Sequence, residues 1–386
     1  MNRVYLDYAA TTPVDPKVAK AMTPFVTQKF GNTMSLHSFG QEVKLALDQS
    51  RQTVADLINA EPNEIIFTGS ATESNNLVLK GLAFRSLGEG GHIIISSIEH
   101  HCVLESAEWL EKQGFTVTKL PVDKFGLINL EDFKKAIRKD TILVSIIHAS
   151  NEIGTIQPIA KIGKICREKK VYFHTDVAQS FGKIPIDVQK MNIDLLTASS
   201  HKIYGPKGVG LLYIREGTRL VPLLHGGGQE NGMRSSTVNV PAIVGFAKAV
   251  EICKKEMFTE ARHLQKLRDK LIKNVLKIKG SHRNGHVTKR LPNNANFRFD
   301  FIEGESLVMR LDLEGIACST GSACSSISLE PSHVLLALGL KPEQAHGSLR
   351  VSLGRWTTEK DINKLIKILP RIVEQLRQIS PYGKKN

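Results

Sequence analysis

With 386 residues, 41% of them hydrophobic, and a formal net charge of +14, the chain is long enough for two domains and has ample apolar material for a core. No stretch approaches the roughly 20 apolar residues of a membrane span. The start, MNRVYLDYAATTP, has neither the basic region nor the apolar core of a secretory signal, so a cytoplasmic location without membrane contact is expected. Five cysteines, at positions 102, 166, 253, 318 and 324, form no C-x-x-C pair, which argues against a disulfide framework or a zinc site and for reduced thiols.

In chain order, short β-branched runs alternate with helix-like segments from about 60 to 215. The strand candidates are IIF (65–67), HIIIS (92–96), TILVSII (141–147), VYFHT (171–175), DLLTAS (194–199) and GVGLLYI (208–214). This is the pattern of an α/β protein with a mostly parallel sheet covered on both faces. From about 255 the pattern changes to a long helix, apolar runs such as ANFRF, and a final amphipathic helix, DINKLIKILPRIVEQLRQI, interrupted by Pro370. A large domain over 15–255 and a smaller α/β domain formed by 1–14 and 256–386 are therefore expected. Lysines and arginines crowd 254–290 and would suit a non-catalytic, basic nucleic-acid-binding protein. However, Leu264, Leu267, Leu271, Val275 and Ile278 recur there at helical spacing, so the charges read as the wet face of an amphipathic helix. Direct nucleic-acid binding is not expected.

In a sheet of this kind ligands sit beyond the carboxyl ends of the strands, where this chain is unusually polar. HTDVAQS (174–180) and SSHKIYGPKG (199–208) bring an acid and a lysine to one sheet edge. Lys202 has the amine for a Schiff base with an aldehyde, and Asp176 has the carboxylate to keep a pyridine nitrogen protonated; standing alone they would read as a surface lysine and a helix cap. GSATESNN (69–76) reads as a turn opening a helix, a place whose amides favour phosphate. Thr72, Ser199 and His201 are candidate phosphate donors, and Gln179, one helical turn from Asp176, is placed to reach a ring's phenolic oxygen. In SIEHH, either His100 or His101 has the imidazole to stack on a ring and move protons.

Taken together and in order, YLDYAATTP, GSATESNN, EHH, NEIGTIQP, HTDVAQS, SSHKIYGPKG, HGGGQENGMRSST, STGSACSS and LRVSLGR resemble the cysteine desulfurases of the bacterial NifS and IscS type. The resemblance runs from about residue 4 to 380. It implies pyridoxal 5'-phosphate as cofactor, the aspartate aminotransferase-like fold (pyridoxal-phosphate fold type I) and a homodimer. It also implies conversion of L-cysteine to L-alanine with sulfur carried as a persulfide. By position, it implies that Lys202 holds the cofactor aldehyde, Asp176 the ring nitrogen and Gln179 the phenolic oxygen, with His100 stacking on the ring. Ala71, Thr72, Ser199 and His201 match the phosphate cradle, joined by Thr237 from the other subunit. Asn151 and Arg350 match the holders of the substrate carboxylate, and Cys324 matches the nucleophile; Cys318 is the rival thiol, read as a packing residue.

Sulfur delivery to an iron–sulfur scaffold or a tRNA-thiolation relay is implied, with no resident metal and with Cys324 sharing a cluster with a scaffold only in passing. IscS-type chains have a longer tail than SPYGKKN, which leaves scaffold docking through such a tail open. A selenocysteine lyase or another enzyme of the same fold, such as an aminotransferase, is the nearest alternative.

Overall fold

The computed structural model describes residues 3–88, 90–321 and 330–380. Twelve strands are formed among them: β1 (Val4–Tyr5), β2 (Ile65–Thr68), β3 (His92–Ser96), β4 (Thr116–Leu120), β5 (Thr141–Ser145), β6 (Tyr172–Asp176), β7 (Leu195–Ser199), β8 (Gly210–Ile214), β9 (Ser281–Asn284), β10 (Asn294–Phe299), β11 (Ile316–Ala317) and β12 (Ser348–Ser352). Seven of these build one sheet in the order β2-β8-β7-β6-β5-β3-β4. β8 runs antiparallel to both of its neighbours, and the other pairings are parallel. The fold is thus the α/β, mostly parallel architecture read from the sequence.

Both faces of the central strands are dry, which is why these strands are continuous apolar runs. The two-residue period is still visible in what each side chain meets. Ile94 packs with Val54, Ile162 and Phe246 on one face. Ile93 and Ile95 pack with Leu77, Val78 and Leu110 on the other. Each such fully buried aliphatic side chain stabilises the fold by about 1.5–3 kcal/mol.

A second core lies around the three-stranded antiparallel sheet β12-β10-β9. There Phe297, Leu349 and Val351 meet Leu307, Leu311, Ile362, Leu365 and Leu369 from flanking helices. The chain's beginning joins this second core: β1 pairs in parallel with β11, and Leu6 is fully buried in it.

One helix, Val240–Val275, spans both cores. Ala242 to Cys253 pack on the large sheet, and Leu264 to Val275 pack on the small one. Residue 255, where the sequence pattern changes, lies within this continuous helix. The last helix, Glu359–Ile379, likewise runs through Pro370 without a break, contrary to the expected interruption. Pro370 is on the solvent side, so water can serve the Ile366 carbonyl that it leaves without an N–H donor.

Candidate active site

Parallel strands share one carboxyl edge, and at that edge β3, β5, β6 and β7 end in Ser96, Ser145, Asp176 and Ser199. Beside them β2 ends at Thr68 and leads into helix Ala71–Ala83, capped by Ser70, whose hydroxyl accepts from the Glu73 N–H at 3.1 Å. The N-terminal amides of that helix are one wall of a cavity of about 460 Å³. Gly210 allows β8 to pass at this point, because a Cβ there would lie 2.5 Å from the Ser70 carbonyl carbon.

Lys202 projects into the cavity and donates to the carbonyls of Ala9 and Ala10, both at 2.7 Å. Burial, together with the charges of Lys183 and Arg350, lowers its pKa to about 7, against the pull of Asp7 and Asp176. At neutral pH a large share of this amine is therefore uncharged and nucleophilic. Asp176, 4% exposed, accepts from the Asn75 side-chain amide at 2.8 Å and from the Ala178 N–H at 2.8 Å. It has no cationic partner within ion-pair distance among the described residues, as suits a carboxylate that faces a protonated ring nitrogen.

His100 caps helix His101–Glu111: its Nδ1 accepts from the Cys102 N–H at 3.2 Å. Burial lowers its pKa, opposed by Asp176 and assisted by Lys202. His101 also lines the cavity and stacks edge-on against His333 at 4.7 Å. Gln179 lies in the turn after β6 and not in a helix, contrary to the expected helical spacing, because the chain reverses just beyond Asp176. From there its amide donates to the Ala9 carbonyl at 2.9 Å. His201 is held by Thr11 at 3.0 Å, and burial with the nearby Lys202 lowers its pKa to about 4.

Arg350, 2% exposed, reaches the cavity from β12. It is paired with Asp7 at 2.8 Å and donates to the carbonyls of Asn151 at 3.1 Å and Gly321 at 3.2 Å. Ala71, Thr72, Ser199 and Asn151 line the same cavity. Thr237 does not; it lies on a second cavity of about 190 Å³ that shares Gly69 and Gly208 with the first. Cys324 lies outside the described residues. Cys318 is buried in the small-sheet core.

Several residues of the site escaped sequence reasoning. Asn75 orients Asp176, and the second Asn of GSATESNN's pair gave no reason to prefer either. Asp7 neutralises Arg350 across the whole chain length. Cys102 lines the cavity, but burial and Asp176 push its thiol up to about 12, which keeps it protonated and inert as a nucleophile. Glu99, fully buried, is raised to about 8 by burial while its Oε1 accepts from the Ser96 hydroxyl at 2.5 Å and the Ile147 N–H at 2.8 Å.

A buried amine of lowered pKa, a carboxylate awaiting a cation, a helix N-terminus and a buried guanidinium within one cavity fit a phosphorylated pyridine aldehyde and an amino-acid substrate. Residues 4–365 match the Aminotransferase class-V family. The chain therefore belongs to this family of pyridoxal-phosphate enzymes and, within it, to the cysteine desulfurases. It is 54% identical to cysteine desulfurase IscS of Dictyoglomus turgidum over 99% of this chain and 97% of that one. Its fold superposes on a NifS-like protein with a TM-score of 0.92 at 40% identity, covering 97% of this chain and all of the other. It also superposes on SspA in complex with cysteine, with a TM-score of 0.83 at 42% identity, covering 92% of this chain and all of that one. These matches favour neither an aminotransferase nor a non-catalytic binding protein.

Proposed function

We propose that this chain binds pyridoxal 5'-phosphate on Lys202, converts L-cysteine to L-alanine and collects the sulfur as a persulfide on Cys324. The observation that carries this reading is the buried Lys202 amine sharing a cavity with the Asp176 carboxylate and the Arg350 guanidinium. When bound, the cofactor supplies an electron sink for the substrate's α-carbon.

The chain's own residues do the rest. Asp176, held by Asn75, keeps the ring nitrogen's proton in place. Gln179, whose amide donates to the Ala9 carbonyl, would serve the phenolic oxygen, and His100 would stack on the ring. Ala71, Thr72, Ser199 and His201 surround the phosphate, and Thr237 of a second copy completes that cradle. Arg350 and Asn151 hold the substrate carboxylate. With the cofactor bound, the Lys202 amine would take the substrate's α-proton, with His100 beside it as a further proton carrier. The Cys324 thiolate then attacks the substrate sulfur: an S–S bond forms, the C–S bond breaks, and its electron pair goes to the β-carbon, where a proton completes the methyl group, while Lys202 returns a proton to the α-carbon to give alanine.

A homodimer is part of the reading. Val26, Phe30, Met34, Leu36, Phe39 and Leu45 are exposed along one stretch of chain, Leu36 to 92%, and such a patch calls for a covering surface. So is the division into a large domain (15–255) and a small one (1–14 with 256–386), supported by the distinct cores around the large and small sheets, which meet where Val334, Leu335 and Ala345 pack with Ile98, Ile147 and Ile153. We place the protein in the cytoplasm and its sulfur in the hands of an acceptor protein for iron–sulfur cluster assembly or tRNA thiolation. No described helix is long and apolar enough to cross a membrane.

The test is an absorbance spectrum of the purified protein with pyridoxal phosphate, before and after L-cysteine, with alanine and sulfide measured in the same tube. A chromophore that changes as alanine appears is expected. In single turnover without added thiol, Cys324→Ala is expected to form alanine on the order of 100-fold more slowly; alanine formation at the wild-type rate overturns the persulfide assignment.

A further inference from the structure

Beneath the site, residues 177–183 form the turn that follows Asp176. This turn is pressed against the segment carrying Lys202. Gly182 has a left-handed φ of +67°, and a Cβ there would lie 3.1 Å from Ile203 Cγ2 and 3.0 Å from Cys253 Sγ. Gln179 of the turn and Lys202 donate to the same Ala9 carbonyl. At the end of the turn stands Lys183, whose Nζ is buried and has no hydrogen-bond partner among the described residues.

Its surroundings leave that charge without a counter-ion at contact distance. Lys183 faces Tyr204, Glu260 and Asn293 across a small cavity, yet both Glu260 oxygens are taken. Oε1 accepts from the Tyr204 hydroxyl at 3.0 Å, and Oε2 accepts from Arg355 at 3.0 Å. Arg355 is paired further with Asp15 at 2.8 Å. On the other side of Lys202, the Arg350 charge is answered directly by Asp7. Lys183 thus holds the less compensated of the two cations that act on Lys202.

We infer that Lys183 is a positioning residue: its buried ammonium places a positive charge behind Lys202 and so favours the uncharged, reactive form of that amine. The inference rests on Lys202 being the cofactor lysine. Charges on every packed element take part. Lys183 and Arg350 act against the Lys202 proton, Asp7 and Asp176 act for it, and burial adds to the first pair. Lys183 feels Glu260 and Cys253 in turn; burial brings its own pKa to about 8, so it is still mostly charged at pH 7. The same charge acts on His201, after burial, Lys202 and Lys207.

The experiment is a spectrophotometric pH titration of the full-length holoenzyme, which reads the protonation of the cofactor-bound Lys202 nitrogen without turnover. Lys183→Met is expected to raise the midpoint by about half a unit to one unit, the size of one partly screened charge, a roughly three- to tenfold fall in the ratio of deprotonated to protonated form. Lys183→Arg, which keeps the charge, is expected to restore the wild-type midpoint. Lowered melting temperatures with an unmoved midpoint in Lys183→Met would make the residue merely structural and overturn the inference. Should Lys183→Met not retain cofactor, the pH dependence of acetylation at Lys202 in the full-length cofactor-free chain, read by peptide mass spectrometry, gives the same midpoint. Borohydride trapping of wild type distinguishes the two levels. Cofactor fixed on another lysine sinks the functional reading itself, whereas cofactor on Lys202 with an unmoved midpoint sinks only the role of Lys183.

Discussion

The two sheets contribute to the cavity in different ways. The seven-stranded sheet delivers its groups from consecutive strand ends, each within a short motif: GSATESNN after β2, SIEHH after β3, HTDVAQS at β6 and SSHK after β7. The three-stranded sheet delivers chiefly Arg350, which depends on Asp7, 343 residues earlier in the chain. On the proposed reading, the large sheet thus presents a locally encoded seat for a ring and phosphate. The small sheet presents one guanidinium whose aim is set by long-range assembly. Cofactor binding and substrate capture then draw chiefly on different sheets.

The sharpest way to break that separation is Lys202→Ala. It removes the covalent anchor and the proton acceptor together, so a loss of alanine formation on the order of 1000-fold or more is expected, with no attached chromophore. Asp7→Asn strikes the other side. It leaves a buried guanidinium without its counter-charge, and a KM for cysteine raised about 10- to 100-fold is expected, with the cofactor still attached and the Lys202 titration midpoint lowered, because Asp7 favours the Lys202 proton. A variant that lost cofactor and substrate affinity equally would show that the two sheets do not act apart.

The smallest effect is one of acid stability. The buried histidines among the described residues, His92, His148 and His174, all belong to the large-sheet side. Burial holds His174 neutral down to about 3 and His148 to about 4. Their folded values lie below the unfolded value of about 6.5, so their contribution is whole above that pH and is lost as pH falls toward 4, at about 1.4 kcal/mol per pH unit for each. Hydrogen exchange at pH 7 and pH 4.5 is expected to show the large-sheet strands losing protection first. Earlier loss from β9, β10 and β12 would contradict this assignment.

What was legible in the sequence follows the same line. Six of the seven strands of the large sheet were readable to within one or two residues, because burial on both faces imposes uninterrupted β-branched runs bounded by polar turns; β4, at the sheet's edge and partly exposed, lacks such a run and was not among the candidates. The motif residues beyond them were readable because each has a distinct chemistry at a strand end. Asp7 was not, since pairing across 343 residues leaves no local pattern. Asn75 was not, because two adjacent asparagines on a helix differ only in the face they present, and Asn75 is the buried one. Pro370 misled because local propensity says that proline breaks a helix, while its solvent-side placement lets the helix continue.

The first ten residues have a consequence for synthesis. Ala9 and Ala10 supply the carbonyls that hold Lys202, yet Val4 and Tyr5 find their strand partner only at Ile316–Ala317 and Asp7 its arginine only at position 350. This segment is made well before its partners and is therefore among the last to be seated. A nascent chain can assemble its large sheet early, but it cannot close the lysine's cradle until residues 316–350 have emerged. Any cofactor captured before then meets a site still lacking its floor.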